Sequence, residues 1–198
     1  HCGNTAPRLT AAAELEEYAP PAGGCARRLR PLAQRFPTGP GANGEVNDMV
    51  LLAAQLQPII DELIAEGVNK IIVQSHLQQI QNEKLLATLL KGVDIILSAG
   101  SDTRLADADD ELVAFPGHSP IAEDTYPLVT TGADGGTTLI VNTDSEYTYL
   151  GRLVVDFDSQ GNIVLPSLAE NQSINGAYAS TAENVAEAFN TTVDNLEN

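Results

Sequence analysis

Basic residues are scarce in this chain. Ten Lys and Arg stand against 27 Asp and Glu over 198 residues, a formal net charge of −17. A surface that acidic repels phosphate backbones, which excludes nucleic-acid binding through a basic groove. It favours solubility and can offer carboxylates to cations. Long apolar runs are missing too: none approaches the roughly 18 residues of a membrane span, and no stretch reads as a signal peptide. Cysteine is limited to Cys2 and Cys25. Their spacing matches no zinc motif; two unpaired thiols are the plainer reading, and a disulfide is the alternative. There is no internal repeat. The numbering opens on His1 with no initiator methionine, so a fragment or incomplete chain is expected.

What is present is a globular composition, 43% hydrophobic, in a chain long enough for one sizeable core or one domain with an appendage. Residues 1–36 hold an extended start, an Ala/Glu-rich stretch and "GGCARRLRPLAQRF", which reads as a loop and a basic helix. "PTGPGANGEVND" is a Pro/Gly-rich break. From Asp48, a plausible N-cap, Met49, Leu52, Leu56, Ile59, Ile60 and Leu63 recur at helical spacing until Gly67 closes the helix. "VNKIIVQSH" is then a strand, "NEKLLATLLKG" a helix and "VDIILSAG" a strand. This order, with short connections, predicts an α/β fold: a parallel sheet flanked by helices, with strands over 70–74 and 93–98 running the same way. Strands over 137–142 and 150–157 are expected to extend that sheet, the second pairing with "NIVLPS" as a hairpin across a Gly-containing turn. The stretch 167–198 is polar, with one weakly amphipathic helix, and reads as a linker. It carries two sequons, at Asn171 and Asn190, which matter only where the host glycosylates.

In an open α/β sheet, ligands gather beyond the carboxyl ends of the strands. His76 ends one strand, "GSDT" (Gly100 to Thr103) ends another, and Asn142, Thr143, Asp144 and Glu146 end a third. An imidazole and a carboxylate converging from neighbouring strand ends make a mixed N/O metal site. The bland alternative is that His76 is a hydrogen-bonded loop residue. His118, in the Pro/Gly loop "FPGHSP", reads as solvent-facing. The acidic run Asp107 to Glu111 lacks the glycine and spacing of a calcium loop and reads as a solvated loop.

"GVNKIIVQSHL", "LLKGVDIILSAGSDTRL" and "YPLVTTGADGGTTLIVNTDSEYTYLGRLVVDFDSQGNIV" together resemble, in order and spacing, the calcineurin-like metallophosphoesterases of the bacterial 5′-nucleotidase type. In that family one strand ends in S-H-L and the next in G-G-H-S-H-T. A later strand leads to Y-L-G-R-L and a D-x-x-G-N hairpin. The opening "HCGNTAPRLT … GGCARRLRPL" resembles a worn form of the family's first motif, H-x-N-D-x-H-x-x-L, with its G-G-x-A-R helix. The resemblance covers roughly residues 45–165. It divides the chain into a degenerate first-motif segment with a helix (1–36), a break where the family carries a long insertion (37–47), the C-terminal half of a metallophosphoesterase domain (48–166) and a linker (167–198).

The resemblance implies metal-assisted hydrolysis of phosphate monoesters. Two divalent cations (Zn, Mn or Ca), roughly 3.5–4 Å apart, would activate a water and neutralise phosphoryl charge. His76 matches the S-H-L histidine that ligates one metal. Gly100 and Asp102 occupy the places of the two histidines of G-H-S-H, so Asp102 can offer oxygen and Gly100 cannot ligate. Asn4 stands where the family has an aspartate and could be a weak neutral ligand, Ala6 replaces a histidine, and His1 matches the first-motif histidine. The G-D and G-N-H-[DE] motifs, which supply the bridging aspartate and a second histidine, are absent. The implied metal ligands are thus His76, Asp102 and Asn4, the partner a small phosphorylated substrate, and the location periplasmic or extracellular. An inactive metallophosphatase-like binding or structural module at a cell surface is the alternative.

Overall fold

The computed structural model describes residues 48–196 and, before them, the backbone of two strands, Glu14–Glu17 and Leu29–Pro31. His1, Cys2, Asn4, Ala6, Cys25 and the break over 37–47 lie outside the described residues. In chain order the elements are β1 (Glu14–Glu17), β2 (Leu29–Pro31), α1 (Met49–Ala65), β3 (Ile71–Gln74), α2 (Ile80–Leu89), β4 (Ile95–Leu97), β5 (Leu128–Thr131), β6 (Thr137–Val141), β7 (Tyr149–Arg152), α3 (Pro166–Glu170), β8 (Gly176–Ala179), α4 (Ala182–Ala188) and α5 (Val193–Leu196).

The α1 helix begins and ends where its sequence signals place it. The Asp48 carboxylate accepts from the Leu51 N–H at 2.9 Å, satisfying one of the free donors of the first turn. At the other end Gly67 takes φ +91°, and the Val68 N–H reaches back to the Leu63 carbonyl at 3.1 Å. That backward bond closes the last turn, and the positive φ costs glycine little. Met49, Leu52, Leu56, Ile60 and Leu63 form the buried stripe. Full burial of each such side chain contributes about 1.5–3 kcal/mol.

β3, β4 and β6 are parallel neighbours at the centre of a six-stranded sheet of order β2-β1-β3-β4-β6-β5. Antiparallel strands flank them: β1 on β3, then β2, and β5 on β6. The fold is therefore α/β, with a mixed sheet. The period-two alternation of strands puts Ile71 and Val73, Ile96, and Ile140 on one face, where they form the main core with α1 and α2. On the other face Val141 joins Leu105 and Tyr126 in a smaller cluster.

Four expectations need correcting. Leu29–Pro31 is a strand, where the basic run reads as a helix: as the edge strand paired with β1, it is held by backbone pairing that outweighs local propensity. The strand expected over 150–157 does not extend the main sheet. It is shorter, and β7 pairs antiparallel with β8 in a separate two-stranded sheet. Of the expected hairpin, the turn forms, with Asp158 accepting from the Gln160 and Asn162 N–H groups, but a single Phe157–Ile163 bridge replaces a ladder. The stretch 167–198, read as a linker, supplies β8, α4 and α5. Ala177 and Ala179 of β8 are buried with Tyr149 and Ala106, so this segment carries part of a core.

Candidate functional site at the ends of the parallel strands

Because β3 and β4 are parallel and adjacent, the chain leaves both at the same end of the sheet, once at Ser75-His76 and once at Ser98 through Asp102. His76 and Asp102 are both exposed there. The His76 ring packs on Gly100: a Cβ at Gly100 would lie 2.6 Å from His76 Cδ2 and 2.8 Å from Nε2. Gly100 also has φ +87°. Its lack of a side chain, read from the sequence as a lost ligand, is what makes room for the imidazole. Asp102 Oδ1 accepts from the Ser145 hydroxyl at 2.7 Å, which ties the β4 end to the loop after β6. In the same way, the Asn142 amide donates to Ser101 Oγ at 2.8 Å.

Beneath His76 lies a residue the sequence reading overlooked. Glu83, on α2, is fully buried. Its Oε1 accepts from the Ser75 hydroxyl at 2.9 Å and from the Leu77 N–H at 3.2 Å, the residues on either side of His76. Among the described residues its Oε2 has no hydrogen-bond partner, and neither does the buried hydroxyl of Ser98. Burial raises the Glu83 pKa, against the lowering pull of the Ser75 and Leu77 hydrogen bonds. The signal was available in "IQNEKLLA": Glu83 is three residues after Ile80 and three and four before Leu86 and Ala87, on the apolar face of α2.

Asp144 is no rim ligand. Its side chain is 1% exposed and ion-paired with Arg104, whose side chain is 3% exposed. Arg104 also donates to the Ser119 carbonyl and lies over the Tyr149 ring, 4.6 Å from its centroid. His118, expected to face solvent, instead packs its Nδ1 2.9 Å from Asp144 Oδ1, with Nε2 3.5 Å from Glu146. The loop "FPGHSP" folds back because Phe115 and His118 exchange backbone hydrogen bonds. Burial works to raise the Asp144 pKa, but hydrogen bonds from Arg104, His118 and the Ser145 N–H outweigh it and hold it low. The bond to Asp144 raises the His118 pKa. Nor is the acidic run simply solvated. Asp110 accepts from the Asp107 and Ala177 N–H groups at 2.8 and 3.0 Å, stitching that loop to β8.

The strand ends supply one imidazole and one carboxylate, donor types that a single divalent ion accepts. They do not fit a two-cation centre, since no group of three or more His, Cys, Asp and Glu side chains gathers as a metal site among the described residues.

No family model matches the chain. Over 129 residues, 65% of its length, it is 33% identical to the 5′-nucleotidase of Bos taurus and 31% identical to that of Homo sapiens. Over 149 residues it is 30% identical to the snake venom 5′-nucleotidase of Naja atra, matching 26% of that protein. The chain spans about a fifth of the length of the mammalian relatives. Among solved structures, a 5′-nucleotidase precursor from Thermus thermophilus aligns over 57% of this chain and 20% of its own, at 28% identity and a TM-score of 0.45. The NAD nucleotidase of Haemophilus influenzae aligns over 56% and 21%, at 21% identity and a TM-score of 0.48. Through the matched stretch, the chain is related to the 5′-nucleotidase type of metallophosphoesterase.

Proposed function

We propose that this chain is the portion of a phosphoester hydrolase that contributes one strand-end ligand set, His76 and Asp102, to a divalent-metal site acting on phosphate monoesters of the nucleotide kind. The observation that carries this reading is the placement of an exposed imidazole and an exposed carboxylate beyond the same end of two adjacent parallel strands, with Gly100 clearing space for the ring. A bound cation would supply Lewis-acid polarisation of a phosphoryl oxygen. The chain's own part is to hold His76 against Gly100 and to fix Asp102 through Ser145. Asn4 remains a third candidate ligand, and zinc, manganese and calcium are the candidate ions. A periplasmic or extracellular site of action goes with the relatives from snake venom. No described helix is long and apolar enough to cross a membrane.

The lack of a third clustered ligand among the described residues favours a second reading, a binding module that holds a phosphorylated ligand without turning it over. One experiment addresses both. Hydrolysis of p-nitrophenyl phosphate and of a nucleoside 5′-monophosphate is followed with manganese, zinc or calcium, using the 198-residue chain and the longest natural polypeptide that contains it. Each is compared with its His76→Ala form. The expected result is weak turnover by the chain, strong metal-dependent turnover by the longer polypeptide, and loss of both in His76→Ala. Metal-dependent turnover that His76→Ala leaves intact would overturn the first reading, and ligand binding without turnover in either polypeptide would establish the second.

A further inference from the structure

We propose that Glu83 is a positioning residue for the strand-end site, a buried brace on α2 that fixes the backbone carrying His76 and, through Ser98, the backbone leading to Asp102. The inference rests on the reading of His76 as a metal ligand. Its geometry is independent of that reading.

Strand alternation explains how the brace arises. Ile71, Val73 and Ser75 share the helix-facing side of β3 and its extension, as Ile96 and Ser98 do for β4. The final inward position of each strand is thus a serine where the preceding ones are aliphatic. Glu83 is the carboxyl that α2 delivers to that level, with Ile80, Leu86 and Ala87 buried around it on the same helix. Its Oε1 grips a side chain and a backbone N–H from the two residues flanking His76. Those two contacts fix the peptide planes from which the imidazole projects. The Ser98 hydroxyl acts on the Glu83 carboxyl closely enough to lower its pKa, although neither it nor Oε2 makes a hydrogen bond of ordinary geometry among the described residues, and the brace assigns this buried pair the link to the second strand end. An apolar side chain here would pack as well and be cheaper to bury, because a buried carboxyl is costly unless its hydrogen bonds are made. The chemistry of the position is therefore directed at Ser75, Leu77 and Ser98, and so at the two segments bearing the candidate ligands. Residues that orient metal ligands in this way commonly change metal affinity by about 10–100-fold when removed.

The test uses Glu83→Leu, which keeps an apolar side chain at the position but removes the carboxyl and its hydrogen bonding, and Glu83→Gln, which keeps the length, keeps an acceptor for Ser75 and Leu77 and can donate to Ser98. Backbone 15N order parameters are measured on the metal-free 198-residue chain, and zinc and manganese affinities by calorimetry, with His76→Ala as reference. The brace predicts that order at residues 75–78 and 98–102 falls below about 0.6 in Glu83→Leu while the rest of the sheet keeps its order, and is restored in Glu83→Gln. Zinc affinity should fall about tenfold or more in Glu83→Leu and recover in Glu83→Gln. If Glu83→Leu does not fold, Ser75→Ala, which deletes one hydroxyl, takes its place, and the same local loss of order is expected. Unchanged order in a folded Glu83→Leu, or in Ser75→Ala, overturns the brace whatever the metal data show. A local loss of order in a chain whose zinc binding is absent, or indifferent to His76→Ala, upholds the brace and overturns the metal-ligand reading instead.

Discussion

The His76 imidazole occupies the volume that a side chain at Gly100 would need, with the absent Cβ 2.6 Å from Cδ2. Gly100→Ala therefore faces two costs. One is the left-handed backbone at φ +87°, about 1–2 kcal/mol for a residue with a Cβ, and the other is displacement of the ring. We expect a lower melting temperature, changed His76 side-chain resonances and weaker zinc binding. Gly100→His, which restores the residue type of the related motif, is expected to fare worse. A Gly100→Ala chain with unaltered His76 resonances would contradict the packing.

The Arg104–Asp144–His118 cluster predicts a second outcome. Asp144→Asn leaves the Arg104 guanidinium buried without its counter-charge, a loss of about 3–5 kcal/mol in denaturant unfolding. The pH dependence follows from the shifts. The Asp144 pKa is held below its ordinary 3.8, so its contribution is present above that value and is lost as pH falls through the lower folded value. The His118 pKa is raised above its ordinary 6.5, so its contribution is complete below 6.5 and is lost as pH rises through the folded value. In Asp144→Asn both dependences should flatten, which unfolding curves recorded from pH 3 to 9 would read.

Asp94 works in the opposite direction. Burial pushes its pKa up from 3.8 to about 6, although its carboxylate accepts from the Ile71 N–H at 2.7 Å. For an acid raised in the folded state, the cost is absent below 3.8, grows as pH rises and is complete above about 6. Asp94→Asn keeps an acceptor for Ile71 and removes the ionisation penalty. We expect a gain of about 1–2 kcal/mol at pH 7, after discounting for partial solvent exposure, and none at pH 4. Equal stability of the two proteins at pH 7 would refute it.

Removing residues 172–198 should disturb far more than a tail. Without β8, Tyr149 loses Ala177 and Ala179, and Asp110 loses the Ala177 N–H. Tyr149 also holds Val113 through both an accepted and a donated hydrogen bond and lies against Arg104, so the loosening should reach the Asp144 cluster. Hydrogen exchange is expected to accelerate at residues 103–118 and 144–152 while α1 and β3 stay protected. Unchanged exchange at 103–118 would return the segment to the status of a linker.

Much of the central layer was legible in the sequence because its signals are local. Asp48 and Gly67 bracket α1, and the apolar runs "IIVQ" and "DIIL" are short, β-branched and bounded by turns. His76 stood out for the same reason, as a polar residue placed directly after such a run. Glu83, by contrast, drew no reading, although its spacing from Ile80, Leu86 and Ala87 places it on the apolar face of α2. Only the arrival of Ser75 and Leu77 around it shows what its carboxylate holds.

The sequence by itself determined the helix–strand–helix–strand core and the end of the sheet at which His76 and Asp102 emerge, since helical and strand periodicity, caps and turns act over a few residues. Tertiary structure decided which strand β7 pairs with, whether 167–198 packs, and that Asp144 and His118 serve Arg104 and not the rim. Those outcomes depend on contacts between residues far apart in the chain: His118 with Asp144, Arg104 with Asp144, Tyr149 with Ala179, and Asp110 with Ala177. Pairings at that range are fixed by which buried polar groups find partners once the core has closed, and no local pattern encodes that choice.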